Sequence, residues 1–569
     1  MLRRTALALA LCATSCAQGD GPSEQSPPPR EQQVLEQVKQ AAESLETPGE
    51  ANSIRFLEQA SFGPKLARGT TPAPVGTVEH VMAVGITQSL TEQFATQPAA
   101  PFDGDTASTD LGSQFFVRAV SGQDQLRLRV AFALSQIFVV SQLGINDSVK
   151  TTYNDPKMAL AGHLNLLSRY AFGNFRDLLE AVTVSPGMGR YLDTVNNVAF
   201  NTSGARIDPN ENYAREMLQL FTLGVHKLKN DGTVVTVQDP NFPDDPTKKV
   251  PVPAYTEDQV KAFAHALSGW TWKAAACPTV GKTLFVPDYT QPLMPCDVNH
   301  DRRSQTLLNN ATTTNNGTTA QHLTQALDNV FSHTNVPPFI SKQLIQHLVT
   351  SNPSPAYVKR VTNVFLADAN GTRGNLEAVV RAILEDTEAR GAQPSATLRP
   401  GFGHLRSPVL FVTNTVRWLD PVLDTATKDP GLKMSTWSKA MAQHVPRAPS
   451  VFSYYPPNAP APDTDGLLGP EFAILDTATI SARANFLLEF LYQGSTANAG
   501  ITVDYDLLPN DSTELVAYLG RYYLHGTMDP ALRTKLLTAM ADPRVPSVNR
   551  RKRMALYLTL LSPSFQLQR

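Results

Sequence analysis

The chain has 569 residues, of which 42% are hydrophobic and 18% charged, and its formal net charge is -2. A nearly neutral chain has no basic footprint for nucleic acid or for an anionic membrane surface, so no nucleic-acid binding is expected. The apolar fraction supports a large globular body, with material for two to four subdomains.

Met1-Leu2-Arg3-Arg4 is a short basic region, and residues 6–13 form a small apolar run. The run is far too short to span a bilayer and reads as a signal peptide. Ala13-Thr14-Ser15-Cys16 resembles the lipobox of bacterial lipoproteins, which makes residues 1–16 a lipoprotein-type signal and Cys16 the lipidated first residue. Plain secretion with cleavage nearby is the alternative. Gln18, where Asp would retain such a protein, favours the outer membrane. The expected location is thus the cell envelope, with the membrane reached only through a lipid anchor. Residues 17–31, rich in Gly, Ser, Pro and Gln, read as a disordered tether to the body at 32–569. Cys12 falls in the signal, so Cys277 and Cys296 remain. In an oxidising periplasm they most simply form one disulfide closing a loop of about 20 residues, worth roughly 3 kcal/mol.

Helical periodicity dominates from residue 32, and the expected fold is mainly α: a multi-helix globular body with a few short β-hairpins and one long irregular region at 271–315. Residues 53–64 predict a short helix stopped by Gly63-Pro64, and 125–141 (QLRLRVAFALSQIFVVS) a central core helix, apolar nearly all round after Arg129. Helices at 155–170 and 174–184 lead to a Gly/Pro turn and short element at 185–193. An Asn-rich loop at 194–207 then delivers the chain to its most polar helix.

That helix is 208–224 (DPNENYAREMLQLFTLG). Asp208 is placed to cap it, Pro209 suits the first helical position, and Glu211 completes a capping box. Tyr213, Met217, Leu220 and Phe221 predict one buried face, and Gly224 a left-handed stop. Glu211 and Arg215, like Asn212 and Glu216, are four apart and share surface strips. The plain reading of Glu211 and Arg215 is a surface ion pair, common and weak.

Beyond it, Lys229-Asn230-Asp231-Gly232-Thr233 predicts a β-hairpin followed by a Pro/Asp-rich loop. Thr256 and Gln259 form a capping box for a helix that shares Val260, Phe263, Ala264 and Leu267 on one face and ends at Gly269-Trp270. After the irregular region, helices are expected at 321–330, 338–351, 356–368, 375–386, 408–418, 475–492, 511–524, 530–541 and 550–561.

Motifs for common chemistry are few. Residues 276–283 (ACPTVGKT) fit only the loosest phosphate-loop pattern and lack a preceding apolar strand, so that reading is rejected. Asp463, Asp465 and Glu471 have a calcium-loop flavour without EF-hand spacing. The H-E-x-x-H helix, the G-x-S-x-G elbow and paired C-x-x-C are absent. His300-Asp301 can be a ligand, a base or a loop hydrogen bond, while His265 and His347 read as structural helix residues.

Several segments together resemble the bacterial family called domain of unknown function 1800: 55–63 (RFLEQASFG), 126–141, 171–193 (AFGNFRDLLEAVTVSPGMGRYLD), 208–224, 255–270, His300-Asp301, 339–353 (FISKQLIQHLVTSNP), 405–408 and 447–455 (RAPSVFSYY). The family usually has Glu-Leu where Glu216-Met217 stands, commonly an Arg at His265, and Arg-Glu-Pro where Arg406-Ser407-Pro408 stands. The last two departures change charges, so neither position is given a role. The resemblance implies a secreted protein, often encoded beside a second uncharacterised family of sulfatase-like appearance, domain of unknown function 1501. It implies no established reaction and leaves cofactor and metal open.

Two functional readings follow. In the first, the chain is a surface or assembly protein working with such a partner, and its polar helix is a buried network that fixes helix packing; Glu216→Gln should then lower thermal stability. In the second it is a periplasmic or extracellular hydrolase, metal-assisted in one version, with Glu211, Arg215, Glu216 and Asp193 as catalytic candidates and Asn210, Asn212, His300 and Asp301 as binding candidates. Glu211 and Glu216 lie about 140° apart around a straight helix, so they would not jointly grip one small ion. The first reading is preferred, because no complete catalytic constellation can be read.

Overall fold

The helix Gln125–Ile137 is buried on nearly every side, and its neighbours Pro156–Tyr170, Val336–Leu348 and Ile86–Ala95 wrap it. The computed structural model describes residues 45–105, 107–145, 155–284, 286–390, 401–492 and 495–569. The expected signal, Cys12, Cys16, Gln18 and the tether lie outside these residues.

The central helix ends earlier than its apolar run suggests. Phe138 leaves helical geometry, and Val139 packs instead with Ala448, Tyr454 and Tyr455 in a small second cluster. The carbonyl freed at the helix end is not orphaned: His163 Nε2 donates to the Phe138 oxygen at 2.8 Å. Burial pushes the His163 imidazole down to about 4, which keeps it neutral for that bond.

Helices make up most of the described body, and its strands are two or three residues long in two-stranded antiparallel pairs. The mainly α expectation holds. Buried apolar side chains from Ile54 to Phe565 join one connected core. The expected helices recur with shifted ends, for example Glu50–Ala60, Thr319–Ser332, Pro355–Leu366 and Pro408–Leu419. The Thr256–Gln259 capping box forms with both of its hydrogen bonds.

The helices Val78–Val84, Ile86–Ala95, Leu111–Ser121 and Pro430–Ala440 were not expected from periodicity. Two of them contain glycines that act as spacers. A Cβ on Gly112 would sit 2.6 Å from Ser435 Oγ, and one on Gly431 would sit 2.2 Å from the Ser113 carbonyl. The missing side chains let these two helices pack at close range.

The 229–233 turn forms as expected, with Gly232 at φ 75° and Leu228 bridged to Val234. The Pro/Asp-rich loop that follows is the tip of a second antiparallel pair, Thr236–Gln238 with Lys249–Pro251. The irregular region carries a short pair, Trp270–Thr271 with Met294–Pro295, and the expected Cys277–Cys296 disulfide. It is well packed at its base, where His300 and Asp301 are fully buried.

Candidate functional site

The polar segment begins differently from the expected capping box. Its α-helical part is only Asn212–Glu216. The Asp208 side chain is 96% exposed and lies 3.6 Å from His265 Nε2 rather than over the first turn. Asn210 does the capping: its Oδ1 accepts from the Asn212 N–H at 2.8 Å. Asn210 is held in turn by Asn197, whose carboxamide accepts from its N–H at 2.7 Å and donates to its carbonyl at 2.8 Å. A side chain that ties both backbone groups of the preceding residue overrides a local Asp-Pro start signal, which no spacing rule within 208–224 contains. Asn210, a binding candidate, is thereby spent on positioning the helix. The half-buried Asn212 follows it as the first helical residue.

From Met217 to Thr222 the helix widens into a π-helix. The Leu223 N–H reaches back five residues to the Leu218 carbonyl at 2.9 Å, and Thr222 Oγ1 donates to the Met217 carbonyl at 2.6 Å. The wider turn rotates the buried face: Tyr213, Met217 and Phe221 are in the core as expected, but Leu218 takes the place assigned to Leu220. Leu220 is half-buried and faces a cavity. π-Helical turns of this kind are frequent at functional sites. Gly224 ends the segment at φ 73°, as expected, and a Cβ there would lie 2.7 Å from the Phe339 ring.

The charged groups divide into two sets. Arg215 forms a fork with Glu257, at 2.9 Å to Oε2 and 2.5 Å to Oε1, and also reaches Glu211 Oε2 at 2.8 Å. Glu257 stands in the first turn of the helix Glu257–Ala266, so the cluster joins two helices. The Glu257 hydrogen bonds raise the Arg215 pKa against the opposing effect of burial. The plain ion-pair reading of Glu211 and Arg215 thus describes their geometry, with Glu257 as a third member that the helix-by-helix pattern did not connect. Tyr213 adds a tie to a third helix through Thr183 Oγ1 at 2.6 Å.

Asp301 is the centre of the second set. Arg303 grips it at 2.6 Å from Nη2 to Oδ2 and 3.0 Å from Nε to Oδ1, while Arg206 stands 3.6 Å from Oδ1. His265 Nδ1 lies 2.9 Å from Oδ2, off the line of a straight hydrogen bond. Burial would raise this carboxyl; His265 and Arg303 outweigh it and hold it far below the usual carboxylate range. His265, given no role from the sequence, faces Asp301 and, at 3.6 Å, Asp208. His300 Nδ1 is 2.9 Å from the Ser268 carbonyl, and its Nε2 is 2.9 Å from His322 Nδ1. Burial, then the charge on His322, pushes His300 down to about 4. A polar cleft of about 490 Å³ opens beside these residues, lined by Arg206, Arg302 and Arg303. Arg302 is anchored to the Asn316 and Gly317 carbonyls.

The remaining candidates stand apart. Asp193, in a left-handed conformation at φ 59°, is half-exposed and lies 4.0 Å from Arg190 of its own segment rather than against Glu211 or Glu216. Glu216 is half-buried, and its Oε2 is buried without a hydrogen-bond partner. Burial raises its pKa while Arg215 lowers it, and its charge adds to the burial that pushes up the Tyr191 phenol. Among the described residues no cluster of three or more His, Cys, Asp or Glu has metal-binding geometry. Glu471, from the calcium-like stretch, is buried and lies 3.3 Å from His404 Nδ1.

The well-formed cavity at this segment lies at its other end. It holds about 330 Å³ and is bounded by Leu220 and Leu223, the 225–234 turn, Phe339 on the helix Val336–Leu348, and Phe452. Neither Glu211, Arg215 nor Glu216 reaches its wall.

No curated protein and no solved structure matches the chain. A family model described as a protein of unknown function (DUF1800) matches residues 55–567. With nearly its whole length matched, the chain belongs to the DUF1800 family.

Proposed function

We propose that the chain is a secreted cell-envelope protein acting as a surface or assembly component with a protein partner, and that segment 208–224 is the joint that holds its helices in place. The observation that carries this reading is the commitment of two groups of candidate charges: among the catalytic candidates Arg215 is held by Glu211 and Glu257, and among the binding candidates Asp301 is held by Arg303, Arg206 and His265. Groups held this way fix how neighbouring segments meet. In this reading residues 1–16 direct export and Cys16 carries the lipid that anchors the chain to the outer membrane. The partner is a sulfatase-like protein of the domain of unknown function 1501 family. Cross-linking in intact cells, followed by recovery of the full chain from the envelope, should bring that protein with it. Recovery of the chain alone would sink the partner, and an unlipidated Cys16 would move the protein off the membrane.

One observation favours the hydrolase reading instead. Glu216 has a buried, unpartnered carboxylate oxygen and a pKa raised by burial, which are properties of a general acid. If Glu216→Gln removed the protein's cellular effect while leaving melting temperature and partner recovery intact, this second reading would replace the first.

A further inference from the structure

The cavity at the π-helical end of the segment combines three properties that point to a ligand. Its walls are largely apolar, with Leu220, Leu223 and Phe339 inside, and its mouth exposes Val225, Val234 and Phe452 at 48%, 42% and 42%. Exposed apolar side chains gathered around an opening are an unusual use of surface. Second, its lining includes Lys342 but no Asp or Glu. Lys342 is half-buried and has no carboxylate partner among the described residues; burial lowers its pKa, and no neighbouring charge contributes to the shift. Third, Gln343, next to it and 9% exposed, has an amide nitrogen with no hydrogen-bond partner. A lone cation and an unspent donor in an apolar cavity are costly unless an acceptor arrives.

The cavity's place in the fold strengthens the case. Gln136, Leu220, Phe339 and Phe452 come from four separate stretches that carry the resemblance to the family, and they meet at its wall. A volume of about 330 Å³ is within the range of small-molecule sites.

We propose that this cavity binds a small apolar molecule ending in a carboxylate, its body against Leu220, Leu223 and Phe339 and its anionic end between Lys342 and Gln343. This goes beyond the assembly reading and does not depend on it, since neither Cys16 nor a protein partner takes part.

Decanoate is the probe, with decan-1-ol as its uncharged counterpart, in isothermal titration of the purified full chain below the micelle concentration. Saturable one-to-one binding of decanoate is expected. Lys342→Met should weaken it about tenfold or more and leave decan-1-ol unchanged, as loss of one charged hydrogen bond requires. Gln343→Leu should weaken decanoate by a smaller factor, and the circular-dichroism melts of both variants should match the parent. Absence of saturable decanoate binding, or equal binding by Lys342→Met, would overturn the proposal. So would a dimer that Phe452→Ser dissociates in the absence of any decanoate binding, because the rim would then be a contact between copies.

Discussion

Glu58 and Arg406, 348 residues apart in sequence, form an ion pair whose side chains are 0% and 1% exposed. His525 Nε2 stands 3.3 Å from the same carboxylate, and Arg406 also donates to the Leu567 carbonyl at 3.1 Å. The pair fastens the helix Glu50–Ala60 to the C-terminal strand Leu567–Gln568. Burial would raise the Glu58 carboxyl, but Arg406 and His525 reverse this and hold it at about 2. No role was read from the sequence for Arg406-Ser407-Pro408, which departs from the family pattern at Ser407. The role of Arg406 in the fold is to neutralise a carboxylate at the centre of the body.

Removing one partner strands the other. Arg406→Met should cost about 3–5 kcal/mol in denaturant unfolding, because it leaves an unpaired buried charge, and adding Glu58→Gln should recover part of the loss. A loss under about 1 kcal/mol for Arg406→Met would mean that the pair acts no more strongly than a surface pair.

Acid should weaken the fold before the carboxylates titrate. Burial holds His163 and His300 down to about 4, and burial with the Arg129 charge holds His347 to about 3. In the unfolded chain these imidazoles titrate near 6.5, so between about pH 6.5 and 4 the unfolded state binds more protons and stability falls as pH falls. The expected loss is on the order of 2 kcal/mol per imidazole by pH 4.5. The depressed Glu58 adds a second loss, as pH drops from about 4.5 toward 2. Unfolding free energies that stay flat from pH 7 to 5 would contradict the neutral buried imidazoles.

Gly224→Ala should destabilise by about 1–3 kcal/mol, since φ is 73° there and the new methyl would meet the Phe339 ring. The same change at Gly204, also at positive φ but with open space around it, should cost less. Equal losses at the two sites would show that the close approach to Phe339 contributes nothing.

The Cys277–Cys296 bridge joins Cα atoms 5.6 Å apart and closes a 19-residue separation. Reduction, or Cys296→Ser, should cost roughly 3 kcal/mol. A melting temperature that reduction leaves unchanged would argue against it.

What was legible in the sequence was local. The capping box at Thr256, the stop at Gly224, the turn at Gly232 and the cysteine pair each rest on residues close in the chain. What was not legible came from partners far away. Asn197 reassigns the cap of the polar helix from Asp208 to Asn210. Gly112 and Gly431 take their place as spacers only from the opposing helix, which meets each of them at close range. The π-turn moves Leu220 out of the expected core face, and Glu257, Arg303 and Arg206 enter the polar clusters across segments. The expectation that Glu216→Gln lowers stability also weakens, since Oε2 has no hydrogen-bond partner for the substitution to remove.

If segment 208–224 is the joint proposed above, its polar side chains act through helix packing. The most direct test compares Glu216→Gln and Asn197→Ala in the native host, following melting temperature, partner recovery and the phenotype of the deletion strain. Glu216→Gln is expected to behave as the parent in all three. Asn197→Ala, which strips two hydrogen bonds from Asn210, should lower the melting temperature and lose partner and phenotype together. A Glu216→Gln protein that melts normally and keeps its partner but loses the phenotype would mean that Glu216 takes part in chemistry rather than in packing.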